Sequence, residues 1–89
     1  MQAPEPLWTI RFAAPVRHLF SRIPRGEAAR FDAAIQLLRQ GPAQLPNMEQ
    51  VDANTYQYSA DGYRIAFEIV PDAKTTVRVI AFKREAESG

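Results

Sequence analysis

No cysteine occurs among the 89 residues, so neither a disulfide framework nor a thiolate metal site is available. His18 is the single histidine, which leaves an imidazole metal site without a second ligand; no metal and no cofactor are implied. No apolar run approaches the roughly 20 residues of a membrane span, and the N-terminus has no charged-then-apolar export signal. These absences point to a reducing cytoplasm and away from the membrane. Internal repeats and low-complexity segments are also missing. A net charge of +1 gives a whole-molecule field too weak to draw nucleic acid by itself.

The charge that is present is segregated. Residues 1–46 carry six arginines against Glu5, Glu27 and Asp32, a balance of +3. Residues 47–72 carry Arg64 against Glu49, Asp52, Asp61, Glu68 and Asp72, a balance of −4. Residues 73–89 return to +2 through Lys74, Arg78, Lys83 and Arg84 against Glu85 and Glu87. Basic ends around an acidic middle can still build a local anion site. With 46% hydrophobic residues, residues 1–89 make one small domain. A chain of this size buries roughly 60–65% of its unfolded surface. Residues 1–6 and 86–89 are expected to be a flexible and a short polar tail.

Leu7 to Phe12 alternates apolar and polar positions and predicts a strand. Pro15 suits the first turn of a helix, and Val16, Leu19, Phe20 and Ile23 follow as an apolar stripe that Pro24 stops. His18 falls on the polar side of that helix, where an exposed side chain is expected. A second helix is predicted over Gly26 to Gln40, burying Ala28, Phe31, Ile35 and Leu38 with Ala34 and Leu37 alongside. Gly41-Pro42 is its stop signal. Pro42 to Asp52 reads as a loop or irregular edge anchored by Leu45 and Met48.

Asn54 to Glu85 then alternates in three short segments, a three-stranded antiparallel meander. Asp61-Gly62 supplies the positive φ of a primed two-residue turn, which sets Ser59 against Arg64, Tyr58 against Ile65 and Tyr56 against Phe67. A turn centred on Ala73 sets Val70 against Thr76, Glu68 against Arg78, Ala66 against Ile80 and Arg64 against Phe82. One face then holds Tyr56, Tyr58, Tyr63, Ile65, Phe67, Ile69, Val77, Val79 and Ala81, a core. The other holds Gln57, Ser59, Arg64, Ala66, Glu68, Arg78, Ile80, Phe82 and Arg84. Two amphipathic helices cover the apolar face and leave the polar one open, an α+β, β-α-α-β-β-β architecture.

The order of elements, the strand Tyr63-Arg64-Ile65-Ala66-Phe67-Glu68-Ile69 and the closing Val79-Ile80-Ala81-Phe82-Lys83-Arg84-Glu85 resemble the RelE/ParE toxin superfamily, on its RelE side. The resemblance spans roughly Trp8 to Glu85. It implies a toxin of a type II toxin–antitoxin module that cleaves mRNA on the ribosome without a metal. A cognate antitoxin protein is the implied partner, with ribosome and mRNA as targets. Other members of the superfamily act on DNA gyrase, and a homologue that only binds its antitoxin is a further alternative.

Carried over residue by residue, the catalytic candidates are Arg64 and Arg84, with Lys83, Phe82, Gln57, Ser59 and Arg78 as RNA- or phosphate-binding candidates. On the register above, Arg64 and Arg84 are diagonal neighbours on one face, roughly 7–8 Å apart at the backbone. A phosphate bridging them would relieve their repulsion. Phe82 and Ile80 on the open face are expected to meet an apolar segment of the antitoxin, stack a base, or lie under the 42–52 loop. Glu68 opposite Arg78 reads as a cross-strand ion pair. The chain departs from the RelE pattern in its milder overall charge and in two places. Thr55, Gln57 and Ser59 stand where RelE is usually basic, and the tail after Glu85 has no aromatic or histidine acid.

Overall fold

A computed structural model describes residues 7–42, 45, 47–73 and 75–85. The two expected tails lie outside the described residues. The elements are β1 (Thr9–Phe12), α1 (Ala14–Phe20), α2 (Arg25–Arg39), β2 (Glu49–Gln50), β3 (Thr55–Ala60), β4 (Tyr63–Ile69) and β5 (Thr76–Arg84). They form one sheet in the order β1-β5-β4-β3-β2. All neighbours are antiparallel except β1, which lies parallel to β5 at the edge.

Local chemistry explains most boundaries. Pro15 sits in the first turn of α1, where its missing N–H costs nothing. The helix closes at Phe20, earlier than expected. Arg22 and Ile23 instead donate to Leu19 and Phe20 carbonyls in tight three-residue turns, because Ile23 precedes Pro24 and is pushed out of helical geometry. Gly41 ends α2 at φ 118, a backbone conformation that favours glycine, and a β-carbon there would press on the Trp8 indole nitrogen at 3.3 Å. Asp61 and Gly62 have φ 52 and 85, the primed turn that Asp-Gly predicts.

The β3–β4 hairpin has the expected register throughout, from Ala60 opposite Tyr63 to Tyr56 opposite Phe67. In the β4–β5 hairpin the expectation holds at Glu68 opposite Arg78 and then breaks. Phe67 faces Val79 but Ala66 faces Ala81, so Ile80 is one extra residue in β5. This bulge reverses the facing of everything after it. Ala81, assigned to the core above, is exposed on the open face, while Phe82 faces Ile65 and joins the core side.

The apolar cluster explains why. The Phe82 ring lies with its centroid 4.6 Å from Phe31 and 6.1 Å from Phe20. A regular ladder would offer the helices an alanine methyl there and leave the phenyl in water, a difference of about 2 kcal/mol.

Val16, Phe31, Ala34, Ile35 and Leu38 pack on Tyr58, Ile65, Phe67, Val77 and Val79 to form the core. Ala28 is exposed rather than buried. The 42–52 stretch contains β2, and its anchor is Leu45, 9% exposed; Met48 is 39% exposed and anchors nothing.

Tyr58 donates its buried hydroxyl to the Ala34 carbonyl at 2.7 Å, tying β3 to α2. Burial, reinforced by the negative charge of Asp61, pushes its phenol well above the ordinary value. A raised folded-state pKa contributes stability that is whole below the ordinary phenol value near 10.0 and is lost as pH rises beyond it. Urea unfolding of wild type and Tyr58→Phe at neutral and strongly alkaline pH checks this. At neutral pH the variant is expected to lose about 1 kcal/mol. On going to alkaline pH the variant loses less stability than wild type; equal losses would contradict the assignment.

Candidate functional site

The helices cover one face of the sheet, so the polar side chains of the other remain accessible. Alternation places Gln57 and Ser59 of β3 there, together with Arg64 of β4, which lies between Ser59 and Lys83 of the flanking strands. Arg64, Gln57, Ser59, Glu49, Asn47 and Glu85 line a polar cavity of about 280 Å³ on this face. A smaller hollow of about 160 Å³ shares Gln57 and Arg64 and runs on toward Lys83 over Ala66 and Ala81. Three of the sequence-derived candidates, Arg64, Gln57 and Ser59, therefore meet in one cavity, and Lys83 lies beside it.

Arg84 does not join them. The bulge at Ile80 sets Arg84 opposite Tyr63, on the helix side of the sheet, where its guanidinium pairs with Glu27 of α2. The expected Arg64–Arg84 pair on one face is therefore corrected: the two arginines are on opposite faces, and no shared phosphate bridges them. Phe82 is corrected for the same reason, since its ring packs among Phe20, Phe31 and Tyr63 instead of presenting a flat face to solvent. Arg78 lies on the open face but is 3.0 Å from Glu68, the expected cross-strand pair, away from the cavity.

The cavity is not simply basic. Arg64 Nη2 lies 3.4 Å from Glu85 Oε2, and Gln57 donates from Nε2 to Glu49 Oε2 at 3.2 Å. One guanidinium thus meets Glu85, and a second carboxylate, Glu49, lines the same cavity. With side chains 43% and 34% exposed, the Arg64–Glu85 pair is screened and worth a few tenths of a kcal/mol, easily exchanged for another anion. Arg11 and Lys83, both exposed, have no ion pair among the described residues. Among the described residues no three acidic or imidazole side chains converge as a metal site. His18 is exposed on α1, and the three tyrosines pack in the core or against it.

Glu49 and Glu85 are the site residues that sequence reasoning missed. Two-residue β2 is too short for any alternation to show. Glu85 was legible in principle, because its backbone N–H donates to the Gly62 carbonyl at 2.8 Å and continues the hairpin ladder one step. Counting that step needs the bulge, which the alternation conceals.

On the covered face, Glu27 accepts hydrogen bonds from Tyr63 Oη at 3.0 Å and also holds Arg84, with its side chain 15% exposed. Burial raises the Tyr63 phenol above its ordinary value, the Glu27 hydrogen bond and charge raise it further, and Arg84 and Arg30 oppose them. These contacts pin the end of β5 to α2 and hold Arg84 away from the open face.

No protein-family model matches the chain, and no curated protein matches it. Solved structures do. A toxin–antitoxin complex, RelBE2 of Mycobacterium tuberculosis, aligns over 97% of this chain and 100% of that one, with a TM-score of 0.71 and 24% identity. An archaeal RelE–RelB complex from Pyrococcus horikoshii aligns over 91% and 98%, with a TM-score of 0.65 and 11% identity. A mutant of the E. coli toxin RelE bound to an antitoxin RelBc peptide aligns over 91% and 85%, with a TM-score of 0.66 and 16% identity. The chain therefore has the RelE fold.

Glu27→Ala is expected to destabilise the protein by about 1–2 kcal/mol, chiefly through the lost Tyr63 contact. Arg84→Ala, at a side chain 59% exposed, costs only a few tenths. Phenolate absorbance is expected to show Tyr63 titrating lower in Glu27→Ala than in wild type, and an unchanged titration would place Tyr63 elsewhere.

Proposed function

We propose that this chain is the toxin of a type II toxin–antitoxin module and arrests translation by cutting mRNA on the ribosome. Its partner is a cognate antitoxin protein, and its setting is the cytoplasm. The observation that carries the reading is Arg64, set with Ser59 and Gln57 around a polar cavity on the uncovered face of a RelE-fold sheet.

The chemistry is transfer within the RNA itself. A ribose 2′-hydroxyl gives up its proton to water as its oxygen attacks the adjacent phosphorus. The bond to the 5′-oxygen of the next nucleotide breaks, that oxygen takes a proton from water to leave as a 5′-hydroxyl, and a 2′,3′-cyclic phosphate remains. Charge accumulates on the non-bridging oxygens as the phosphorane forms. A guanidinium already aimed at that position stabilises it more than it stabilises the starting diester. Arg64 fills this role, and Lys83, on the adjoining hollow, holds the neighbouring phosphate. Ser59 and Gln57 orient the strand. Arg84, paired with Glu27 behind the sheet, takes no part.

One observation favours a second reading. Glu85 meets Arg64, Glu49 lines the same cavity, and Thr55, Gln57 and Ser59 of β3 stand where RelE is usually basic. A fold so depleted fits a homologue that binds its antitoxin without cutting RNA, or a toxin of ParE type directed at DNA gyrase. Induced expression with mapping of mRNA 5′ ends separates them. Wild type is expected to produce codon-positioned cuts, Arg64→Ala to reduce them by about 10²–10³-fold, and Arg84→Ala to cut as wild type does. Growth arrest with intact mRNA and broken DNA would favour the gyrase reading, and no arrest at all the binding-only one.

A further inference from the structure

The cavity that holds Arg64 has the wrong charge for an ordinary phosphate site. Arg64 is the one cation among its described lining residues, and Glu85 and Glu49 both line it. Lys83 reaches only the adjoining hollow. Glu85 is no stray tail residue: its backbone is fixed to Gly62 at 2.8 Å, so its carboxylate is delivered to Arg64 by the sheet. Glu49 is held on the opposite wall by the Gln57 amide at 3.2 Å. An anion reaching Arg64 competes with Glu85 for the guanidinium and stays in a cavity lined by both carboxylates.

That arrangement discriminates by charge. An internal phosphodiester carries one negative charge, whereas a terminal phosphate monoester carries between 1.5 and 2 at neutral pH. Repulsion from the two carboxylates rises in proportion to ligand charge, while Arg64 can satisfy only one pair of oxygens in either case. We propose that Glu85 and Glu49 are specificity-determining residues that make the Arg64 cavity select an internal phosphodiester and reject a terminal phosphate. Glu85 doubles as the counter-ion that occupies Arg64 when no ligand is bound. The inference rests on the reading of Arg64 as a phosphate site and adds the residues that set its preference among phosphates. It also gives the missing basic residues of β3 a consequence. With Gln57 committed to Glu49 and Ser59 neutral, Lys83, opposite Arg64 on β5 but outside the cavity, is the one neighbour among the described residues left to offset the carboxylates.

The test uses the full chain and two small probes, a dinucleoside monophosphate with one internal diester and a nucleoside 5′-monophosphate. Binding is followed by NMR titration in wild type, Glu85→Gln, Glu49→Gln and Arg64→Ala, with thermal melts confirming that each variant is folded. Wild type is expected to prefer the diester. Glu85→Gln is expected to tighten the diester about twofold, the scale of one screened surface ion pair, and the monoester, with nearly twice the charge, about fourfold, so the preference shrinks. Glu49→Gln moves both in the same direction by less, and Arg64→Ala loses both ligands. If Glu85→Gln leaves the preference as in wild type while Arg64→Ala still abolishes binding, the specificity proposal is overturned and the phosphate reading stands. If Arg64→Ala binds both probes as wild type does, or wild type binds neither, both fall together.

Discussion

One inserted residue decides what this sheet presents to its surroundings. Side chains on a strand alternate with a period of two, so a single extra position in β5 hands every later residue to the opposite face. Ile80 is that position. Before it, Val77 and Val79 point into the core and Arg78 points out to Glu68. After it, Phe82 and Arg84 turn toward the helices, and Ala81 and Lys83 turn away. The driving force is apolar. Phe82 completes a cluster of rings with Phe20, Phe31 and Tyr63, and no charged alternative offers comparable burial.

Two arginines with similar sequence credentials consequently have different work. Arg84 is structural: with Tyr63 it closes on Glu27 and fastens the last strand to α2. Arg64 is left on the open face, in a cavity whose other walls are neutral or acidic. The open face as a whole is largely charge-compensated, with Arg64 against Glu85 and Arg78 against Glu68. Lys83 and Arg11 supply its remaining positive charge. A surface of this kind binds by exchanging ion pairs rather than by long-range attraction, which accords with a net charge of only +1.

How much of this was legible in the residues depended on how far local rules reached. Asp61-Gly62 fixed the first hairpin to the residue, because a primed turn allows one register. Both helices were placed from Pro15, Pro24 and Gly41, apart from the early end of α1, where Ile23 yields to the following proline. Glu68 opposite Arg78 was correct because the bulge lies beyond it. The rest required tertiary information. Nothing in Val79-Ile80-Ala81-Phe82 marks a bulge, since both parities place an apolar residue inward. The parallel pairing of β1 with β5 and the two residues of β2 depend on partners distant in sequence. Glu49 enters the cavity only through the pairing of β2 with β3, and Glu85 only through the shifted register of β4 and β5.

Cross-strand contacts between α-protons of β4 and β5, measured by NMR in the full-length protein, test this account most directly. It predicts contacts that align Arg64 with Lys83 and Ala66 with Ala81, together with ring contacts from Phe82 to Phe31. Alignment of Arg64 with Phe82 and of Ala66 with Ile80 would mean an unbroken ladder. Arg84 would then stand beside Arg64 on the open face, and the division of labour between the two arginines would be wrong.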